Sequence, residues 1–322
     1  MVCPRLLICA LRRAVLTAYD YASALAQRGA PVDICLVGDS LANVALGHRT
    51  THPLTLDAMI HHTQAVARGL RHPALQQHGM PPVPLLVADL PYGYAEASVE
   101  DGVRAAVALV KQGQADGVKI EGGEEVVALV ARLCAFGIPV MAHIGLQPQR
   151  SSSGSALHLA GRTAQEALAM LHAARQLQQA GAFAVVLECI PARVGAALTR
   201  RLAMATIGIG AGNETDGQVL VADDIVGECT SPLHVLAGVH ETHEASHTPL
   251  PRPSSQWPAG PRFTRNFVAS GTSLGALRLA AVQAYVAAVK ARTFPDEAEA
   301  YKMKRDEYAA FQQRLQEAEA PA

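Results

Sequence analysis

The sequence lacks an excess of either charge. Its 27 Lys and Arg residues nearly match its 28 Asp and Glu residues, which leaves a net charge of −1. Proteins that bind nucleic acids normally carry a clear basic excess or stripe, so this balance argues against a nucleic-acid partner. Charged residues make up only 17% of the 322 residues and hydrophobic residues 50%, a composition that supplies a sizeable core and excludes wholesale disorder.

Paired cysteine motifs are also absent. The six cysteines lie at positions 3, 9, 35, 134, 189 and 229, and no two of them form a C-x-x-C pair. This spacing argues against a zinc knuckle or a disulfide framework and favours free thiols in a reducing compartment.

Long hydrophobic runs are missing as well. The apolar run near the start, Leu6–Leu11, is too short to cross a bilayer, so we expect a soluble protein with no membrane partner. Three arginines and no acidic residue precede Asp20, a pattern that fits either the remnant of a mitochondrial presequence or a short lead-in to the first strand. The sequence therefore allows the cytoplasm or the mitochondrial matrix.

Short apolar segments alternate with Ala-rich helical stretches from residue 14 onward. Eight segments have the composition of strands: 14–19, 33–39, 83–90, 117–122, 139–145, 184–190, 204–210 and 219–226. Amphipathic stretches predict helices at 22–29, 56–69, 98–113, 124–136 and 164–180. Near-continuous apolar strands that alternate with helices indicate a parallel sheet. Eight such units favour a closed (β/α)8 TIM barrel, and an open doubly wound sheet is the alternative.

Two segments interrupt this alternation. Residues 71–84 form a loop with proline and histidine, and residues 230–261 hold several prolines and serines and four histidines. The second segment is long for a structureless loop, so we interpret it as a surface insertion or a disordered stretch. Beyond it, 273–291 and 297–318 have helical patterns. Four side chains at helical spacing in the last stretch suit packing on the body or on another subunit: Tyr301, Tyr308, Phe311 and Leu315.

Polar side chains follow the apolar segments at the ends where parallel strands would meet. They are Asp39, Ser40, Asp89, Lys119, Glu121, His143 and Glu188. Active sites of (β/α)8 barrels are built at this rim. Carboxylates at the ends of buried strands are costly unless they bind something, so we expect these residues to form a site. Several carboxylates around one point suggest a hard divalent cation, and two aspartates with water and substrate suit Mg²⁺.

Most of these residues also have a purely structural explanation. Asp39 or Ser40 would serve as a helix cap. Lys119 and Glu121 face the same side of their strand and would form an ion pair. A histidine such as His143 is more often a core residue than a ligand. Because these explanations would all have to hold separately on one rim, we favour the functional interpretation.

The glycine-rich stretch GIGAGNETDG (208–217) follows a predicted strand. It is only loosely similar to a dinucleotide-binding fingerprint, because it falls late in the chain and no helical pattern opens directly on it. Close approach of the backbone at the mouth of the barrel explains the glycines equally well. A dinucleotide-dependent oxidoreductase is therefore a distant alternative.

Several motifs, taken together and in order, resemble the ketopantoate hydroxymethyltransferase family. They are LTAYDYASA (16–24), LVGDSLANVALGH (36–48), PLTLDAMIHHTQAVARG (53–69), VADLPYGYA (87–95), GVKIEGGEE (117–125), GIPVMAHIGLQPQ (137–149), AGAFAVVLECIP (180–191) and IGIGAGNETDGQVLV (207–221). The resemblance implies one (β/α)8 catalytic barrel of the phosphoenolpyruvate/pyruvate type over residues 14–295. The insertion at about 230–260 would interrupt it, and residues 296–322 would form a C-terminal helical extension.

The resemblance also implies a reaction. Members of this family transfer a hydroxymethyl group from the co-substrate 5,10-methylenetetrahydrofolate to the keto acid 3-methyl-2-oxobutanoate. The product is 2-dehydropantoate, for pantothenate biosynthesis. The family also implies a large homo-oligomer, such as a decamer.

Motif positions assign roles to the rim residues. Asp39 and Asp89 would bind Mg²⁺ and, through it, the substrate, with Glu121 close to the metal through water. Ser40 and Lys119 would hold the keto-acid carboxylate.

The resemblance gives the two remaining rim residues different places. Glu188 would be the general base that removes the C3 proton of the keto acid, and His143 would be a neighbour of the site. Mg²⁺ would polarise the keto oxygen and stabilise the enolate charge that results.

The chain departs from the family pattern at three places: the stretch RSSSGSALHLAGR (150–162), the residues 49–51, and FPDEAEAY (294–301). All three lie in predicted loops or tails, away from the metal and base positions. Two alternative functions therefore stay open. One is another Mg²⁺-dependent keto-acid lyase or mutase of the same barrel class, and the other is a catalytically impaired homologue that serves as a scaffold.

Overall fold

Eight parallel strands close into a barrel in the order in which they follow one another along the chain. The computed structural model describes residues 12–76, 79–150, 159–228 and 273–319. The strands are β1 (Arg13–Thr17), β2 (Ile34–Val37), β3 (Leu85–Asp89), β4 (Gly117–Glu121), β5 (Val140–Gly145), β6 (Ala184–Glu188), β7 (Ala205–Ile209) and β8 (Gly217–Leu220). The last strand pairs with the first, with Val219 opposite Val15. This confirms the predicted closed barrel and rules out the open sheet.

Helices surround the barrel and fill the connections between strands. They are α1 (Tyr21–Arg28), α2 (Leu41–Val44), α3 (Leu56–Leu70), α4 (Tyr94–Ala97), α5 (Val99–Lys111), α6 (Val127–Ala135), α7 (Ala164–Gln179), α8 (Ala192–Thr199), α9 (Ala222–Val226), α10 (Leu274–Ala291) and α11 (Arg305–Glu319). Five begin after a residue whose side chain accepts a hydrogen bond from the first turn: Asp20, Thr55, Ser98, Thr163 and Ser273. Such caps satisfy N–H groups that have no partner inside the helix.

The strands are buried on both faces, which explains their near-continuous apolar sequences. Leu36 and Ile207 belong to the core inside the barrel. Val37 and Val118 belong to the larger core between the strands and the helices. Because successive side chains of a strand point to opposite faces, a polar residue placed in phase with the inner set faces the interior of the barrel.

Two elements differ from their predicted form. Residues 222–226, predicted as the end of the eighth strand, form helix α9. The Ala222 backbone N–H donates to Thr17 Oγ1, and two aspartates occupy the first turn, where the helix dipole favours negative charge. The last helix begins at Arg305, so Tyr301 lies before it and is not part of a helical stripe.

Helix α11 packs on the body of the barrel. Phe311 and Leu315 are buried in the core shared by the helices. At the start of α7, the Ala164 backbone N–H donates to Glu307 Oε2 at 2.8 Å. The predicted packing on the body is therefore confirmed for the buried pair, while the proposed division of the chain at residue 296 stays a prediction.

Helix α10 is rich in apolar residues. By length and composition alone it would be able to cross a membrane, with a mean hydropathy of 1.3 over 18 residues, contrary to our expectation that no stretch would. One face packs on the barrel through Val282 and Val289. The Tyr285 hydroxyl lies 2.9 Å from the carbonyl oxygens of both Val15 and Gln218. A helix packed on the core of a soluble protein meets the same criteria, so length and composition do not distinguish the two cases.

Several predicted features lie outside the described residues: the lead-in at 1–11, most of the altered stretch at 150–162, and the insertion at 230–260 with its histidines. Three cysteines lie within the described residues. Cys35 is buried, Cys134 and Cys189 are half-buried, and all three are free thiols.

We expect Phe311→Ala to destabilise the protein by about 3–5 kcal/mol, because Phe311 is fully buried and its removal leaves a cavity. Urea denaturation followed by circular dichroism measures the change in the free energy of unfolding. Gln312→Ala, on the exposed side of the same helix, is the control and should change it by less than about 0.5 kcal/mol. Equal effects from the two substitutions would contradict the packing of α11 on the barrel.

Candidate active site

All seven polar rim residues predicted from the sequence line one cavity of about 150 Å³ at the carboxyl ends of the strands. Asp89, Glu121 and Glu188 are the last residues of β3, β4 and β6. Asp39 follows β2, and His143 lies within β5. The closure of the barrel therefore brings together side chains that are far apart in the sequence.

Asp89 is the buried centre of the acidic cluster. It is only 1% exposed, and its Oδ2 accepts hydrogen bonds from the Asp39 backbone N–H at 2.9 Å and from Lys119 Nζ at 2.8 Å. Asp89 and Lys119 are direct neighbours in the register of β3 and β4. Burial lowers the pKa of Lys119, but the charges of Asp89 and Glu121 raise it by more than burial lowers it. The net shift is upward, so the ammonium stays charged. Lys119 is thus the main cation of the cluster.

Glu121 has protein partners at both carboxylate oxygens. Its Oε1 lies 3.9 Å from Lys119 Nζ and 3.3 Å from His143 Nδ1. Its Oε2 accepts a hydrogen bond from the Gln149 backbone N–H at 3.1 Å. Burial raises the pKa of Glu121, but His143 and Lys119 outweigh this effect, so the pKa is lowered and Glu121 is ionised.

His143 bridges Glu121 and Glu188. Its Nε2 lies 2.8 Å from the Leu146 carbonyl oxygen and 3.2 Å from Glu188 Oε2. A carbonyl oxygen only accepts hydrogen bonds, so Nε2 carries a proton. Burial lowers the pKa of His143, but the nearby carboxylates, above all the charge of Glu121, raise it to about 10. The imidazole is therefore a cation at neutral pH.

Ser40 is hydrogen-bonded to Tyr19, which was not among the predicted site residues. Its Oγ lies 2.7 Å from the Tyr19 hydroxyl, and His62 Nδ1 lies 2.6 Å from the Tyr19 carbonyl oxygen. Ser40 makes no side-chain cap to α2, so the simple capping explanation is wrong. Burial raises the pKa of Tyr19, which keeps its hydroxyl protonated. The sequence could have indicated Tyr19 as a site residue, because it lies two residues after β1, at the same rim.

Two aspartate oxygens have no hydrogen-bond partner. Asp39 Oδ2 and Asp89 Oδ1 are both buried and unpartnered among the described residues. Burial, followed by the charges of Asp89 and Glu121, raises the pKa of Asp39 to about 7. Each aspartate therefore has one buried oxygen without a hydrogen-bond donor among the described residues.

These oxygens fit a divalent cation. Within the described ranges no group of three or more His, Cys, Asp or Glu side chains is arranged to hold a metal by itself. Mg²⁺ needs no such group, because it commonly takes one or two carboxylates and completes its shell with water and substrate. Asp39 and Asp89 would supply the protein ligands. Glu121, whose oxygens contact protein donors, would reach the metal through water, as predicted from the family resemblance.

Glycines allow the backbone to pack closely around the rim. Gly145, at the end of β5, has φ +101°, and a Cβ there would lie 2.3 Å from the Glu188 carbonyl oxygen. Gly212, in the glycine-rich stretch, has φ +78°, and its Cβ would lie 2.5 Å from that of Ala192. Close backbone approach is sufficient to explain both glycines.

Comparison with known proteins agrees with this arrangement. The family model of ketopantoate hydroxymethyltransferase matches residues 10–242. The chain belongs to the ketopantoate hydroxymethyltransferase family. A 3-methyl-2-oxobutanoate hydroxymethyltransferase from Geobacillus thermodenitrificans is 38% identical over 92% of this chain and 91% of its own length. One from Thermus thermophilus is 48% identical over 67% of this chain and 78% of its own. The resemblance read from the motifs is thus confirmed.

Solved structures support the fold. The crystal structure of a phosphonopyruvate hydrolase superposes on this chain with a TM-score of 0.54 and 12% sequence identity. The match covers 76% of this chain and 90% of the hydrolase chain. A putative phosphonomutase from Burkholderia cenocepacia J2315 has a TM-score of 0.53 and 16% identity, covering 74% and 96%. At such identities the likeness shows the barrel fold alone.

We expect Mg²⁺ to raise the thermal midpoint of the protein. A ligand that binds only the folded state stabilises it, by about 2.7 kcal/mol at a hundred times its Kd. Asp89→Asn should remove most of this shift, because it neutralises one of the two unpartnered carboxylates. Scanning calorimetry over a Mg²⁺ series measures the effect.

The matched control is Asp116→Asn. Asp116 lies before β4, at the opposite end of the barrel, where its Oδ2 accepts a hydrogen bond from the Leu86 backbone N–H. This variant should respond to Mg²⁺ as the wild type does. If the shift persisted in both Asp39→Asn and Asp89→Asn, the cation would have to bind elsewhere.

Proposed function

We propose that this protein transfers a hydroxymethyl group from 5,10-methylenetetrahydrofolate to 3-methyl-2-oxobutanoate in a Mg²⁺-dependent reaction that yields 2-dehydropantoate. The observation that carries the proposal is a cavity, in a chain of this family, where two unpartnered aspartate oxygens lie beside a lysine and a separate glutamate. A 2-keto acid has two adjacent oxygens that chelate a cation, a carboxylate that needs positive charge, and a C3 proton that a base can remove. Each group of the ligand thus has a counterpart in the cavity.

Lys119 and Ser40 would bind the keto-acid carboxylate. Lys119 Nζ has three donor positions, of which Asp89 takes one. Ser40 is oriented by the Tyr19 hydroxyl. Lys119 is the cation that would offset the charge of the substrate carboxylate beside Asp89 and Glu121.

Asp39 and Asp89 would hold Mg²⁺ through their unpartnered oxygens. When bound, the cation polarises the keto oxygen, acidifies the neighbouring C–H bond and stabilises the negative charge that develops. The Asp39 backbone N–H, which donates to Asp89 Oδ2, fixes the two carboxylates relative to each other.

Glu188 would remove the C3 proton. Its side chain is 17% exposed, the most accessible of the residues in the ion-pair network of the cavity. His143 contacts Oε2 and so orients the carboxylate, while proton abstraction requires only the other oxygen. C3 of the keto acid would then bond to the methylene carbon of the folate, and water would supply the hydroxyl oxygen. Both carbon–nitrogen bonds of that methylene carbon would break, and tetrahydrofolate would leave with two protons on its nitrogens, one in balance for the C3 proton and one from the water.

The direct assay is purified protein with both substrates, with and without Mg²⁺. We expect 2-dehydropantoate to form only when the keto acid, the folate and the metal are all present. Turnover of a keto acid without folate would indicate the lyase or mutase alternative, and no turnover of any keto acid would indicate the scaffold.

We expect Glu188→Gln to slow exchange of the C3 hydrogen into solvent by about 10²-fold or more, the usual contribution of a positioned general base. Proton NMR of 3-methyl-2-oxobutanoate in D₂O with Mg²⁺ follows the exchange without the folate. Mg²⁺-dependent binding of the keto acid should remain nearly intact, since glutamine preserves the shape. Glu214→Gln, at an exposed glutamate paired with Arg200, is the control. Retained exchange in Glu188→Gln would show that another group is the base.

A further inference from the structure

Thr51 is a buried polar residue in the wall of the same cavity, and the reaction outlined above does not use it. It lies in the connection between β2 and α3 and is 5% exposed. Its Oγ1 is buried and has no hydrogen-bond partner in the part of the chain that the structure describes. It lines the cavity together with Ser40 and Asn43 of the same connection.

The backbone around Thr51 is fixed to the acidic cluster. The Thr51 carbonyl oxygen accepts a hydrogen bond from the Leu54 backbone N–H at 3.1 Å. The neighbouring His52 stacks on Tyr92, with ring centroids 4.3 Å apart, and its Nε2 lies 2.7 Å from the Gln149 carbonyl oxygen. The Gln149 backbone N–H donates to Glu121 Oε2. The loop that carries Thr51 is therefore tied to the site.

A hydroxyl in this position is unfavourable for the empty protein. Burying a hydroxyl group without a hydrogen bond costs free energy, whereas valine would fill the same volume without that cost. Buried polar groups in folded proteins nearly always have partners, so an exception calls for an explanation such as a ligand. For Thr51 the cavity supplies the place for that ligand.

The chemistry of the cavity indicates which ligand atom the hydroxyl meets. Ser40, Asn43 and Thr51 contribute neutral groups to the cavity lining that can donate hydrogen bonds, whereas a carboxylate group in the same lining only accepts them. An anionic ligand would place its oxygens against the donors and away from the carboxylates. We propose that the Thr51 hydroxyl donates a hydrogen bond to a carboxylate oxygen of the bound 2-keto acid. This inference rests on the proposed function.

Two substitutions separate the contribution of the Thr51 hydroxyl from that of its methyl group. Thr51→Val keeps the shape and removes the donor, so the Kd for 3-methyl-2-oxobutanoate in the presence of Mg²⁺ should rise about tenfold to a hundredfold, as expected for a hydrogen bond to a charged group. Thr51→Ser keeps the donor, and its Kd should stay within about threefold of the wild type. Isothermal titration calorimetry at fixed Mg²⁺ measures both.

The thermal midpoint of the unliganded protein provides a second readout. Thr51→Val should leave it unchanged or raise it, because the hydroxyl has no partner to lose. The control is Thr63→Val: Thr63 is fully buried, and its Oγ1 donates to the Met59 carbonyl oxygen at 2.6 Å. That variant should lower the midpoint without changing the Kd.

Three results would overturn the assignment of Thr51. Wild-type affinity in Thr51→Val would show that the hydroxyl does not contact the ligand. Weak binding in Thr51→Ser but not in Thr51→Val would show that the methyl group is what matters. A lowered midpoint in unliganded Thr51→Val would show a structural role. Absence of keto-acid binding by the wild type would instead refute the proposed function, and the assignment of Thr51 with it.

Discussion

Buried negative charge at one end of the barrel is the constraint on which the site depends. Asp39, Asp89 and Glu121 are nearly inaccessible, and a buried carboxylate is tolerable only when it is hydrogen-bonded and paired. Lys119 and protonated His143 supply two positive charges, and backbone N–H groups supply further donors. What is left over is one unpartnered oxygen on each aspartate. These two oxygens are the ones that would bind the proposed Mg²⁺.

The register of the strands brings the members of this network next to one another. Asp89 is the direct neighbour of Lys119 across β3 and β4, and Glu121 is the direct neighbour of His143 across β4 and β5. Directly paired residues on adjacent strands lie close enough for their side chains to contact. The next step, from His143 to Glu188, crosses to β6, where Gly145 allows the two strands to approach. The ion pairs therefore join residues on neighbouring strands, from β3 to β6.

The strands and the acidic cluster were predictable because both depend on local pattern and on one topological rule. Apolar segments identified the strands, and the closure of parallel strands placed their polar ends on one rim. Thr51 was not predictable in this way, since its place depends on how the β2–α3 connection folds back over the closed barrel. Tyr19 does follow the rule, because it lies two residues after β1. The stacking of His52 on Tyr92 joins the β2–α3 and β3–α4 connections and leaves no periodic signal in the sequence. Residues 222–226 show the converse error: they continue an apolar strand pattern in the sequence but form a helix, whose first N–H donates to Thr17 Oγ1.

The near-zero net charge of the chain conceals two kinds of group in the cavity lining. The carboxylates attract a cation and repel an anion. Lys119 and the neutral groups of Ser40, Asn43 and Thr51 are able to donate hydrogen bonds to an anion. A ligand that satisfies both must present an anionic group to the donors and neutral or chelating oxygens toward the metal side. A simple anion would be repelled by the carboxylates, and a simple cation would leave the donors unused. A 2-keto acid carries both kinds of oxygen on adjacent carbons, so the proposed substrate would satisfy both sets of groups at once.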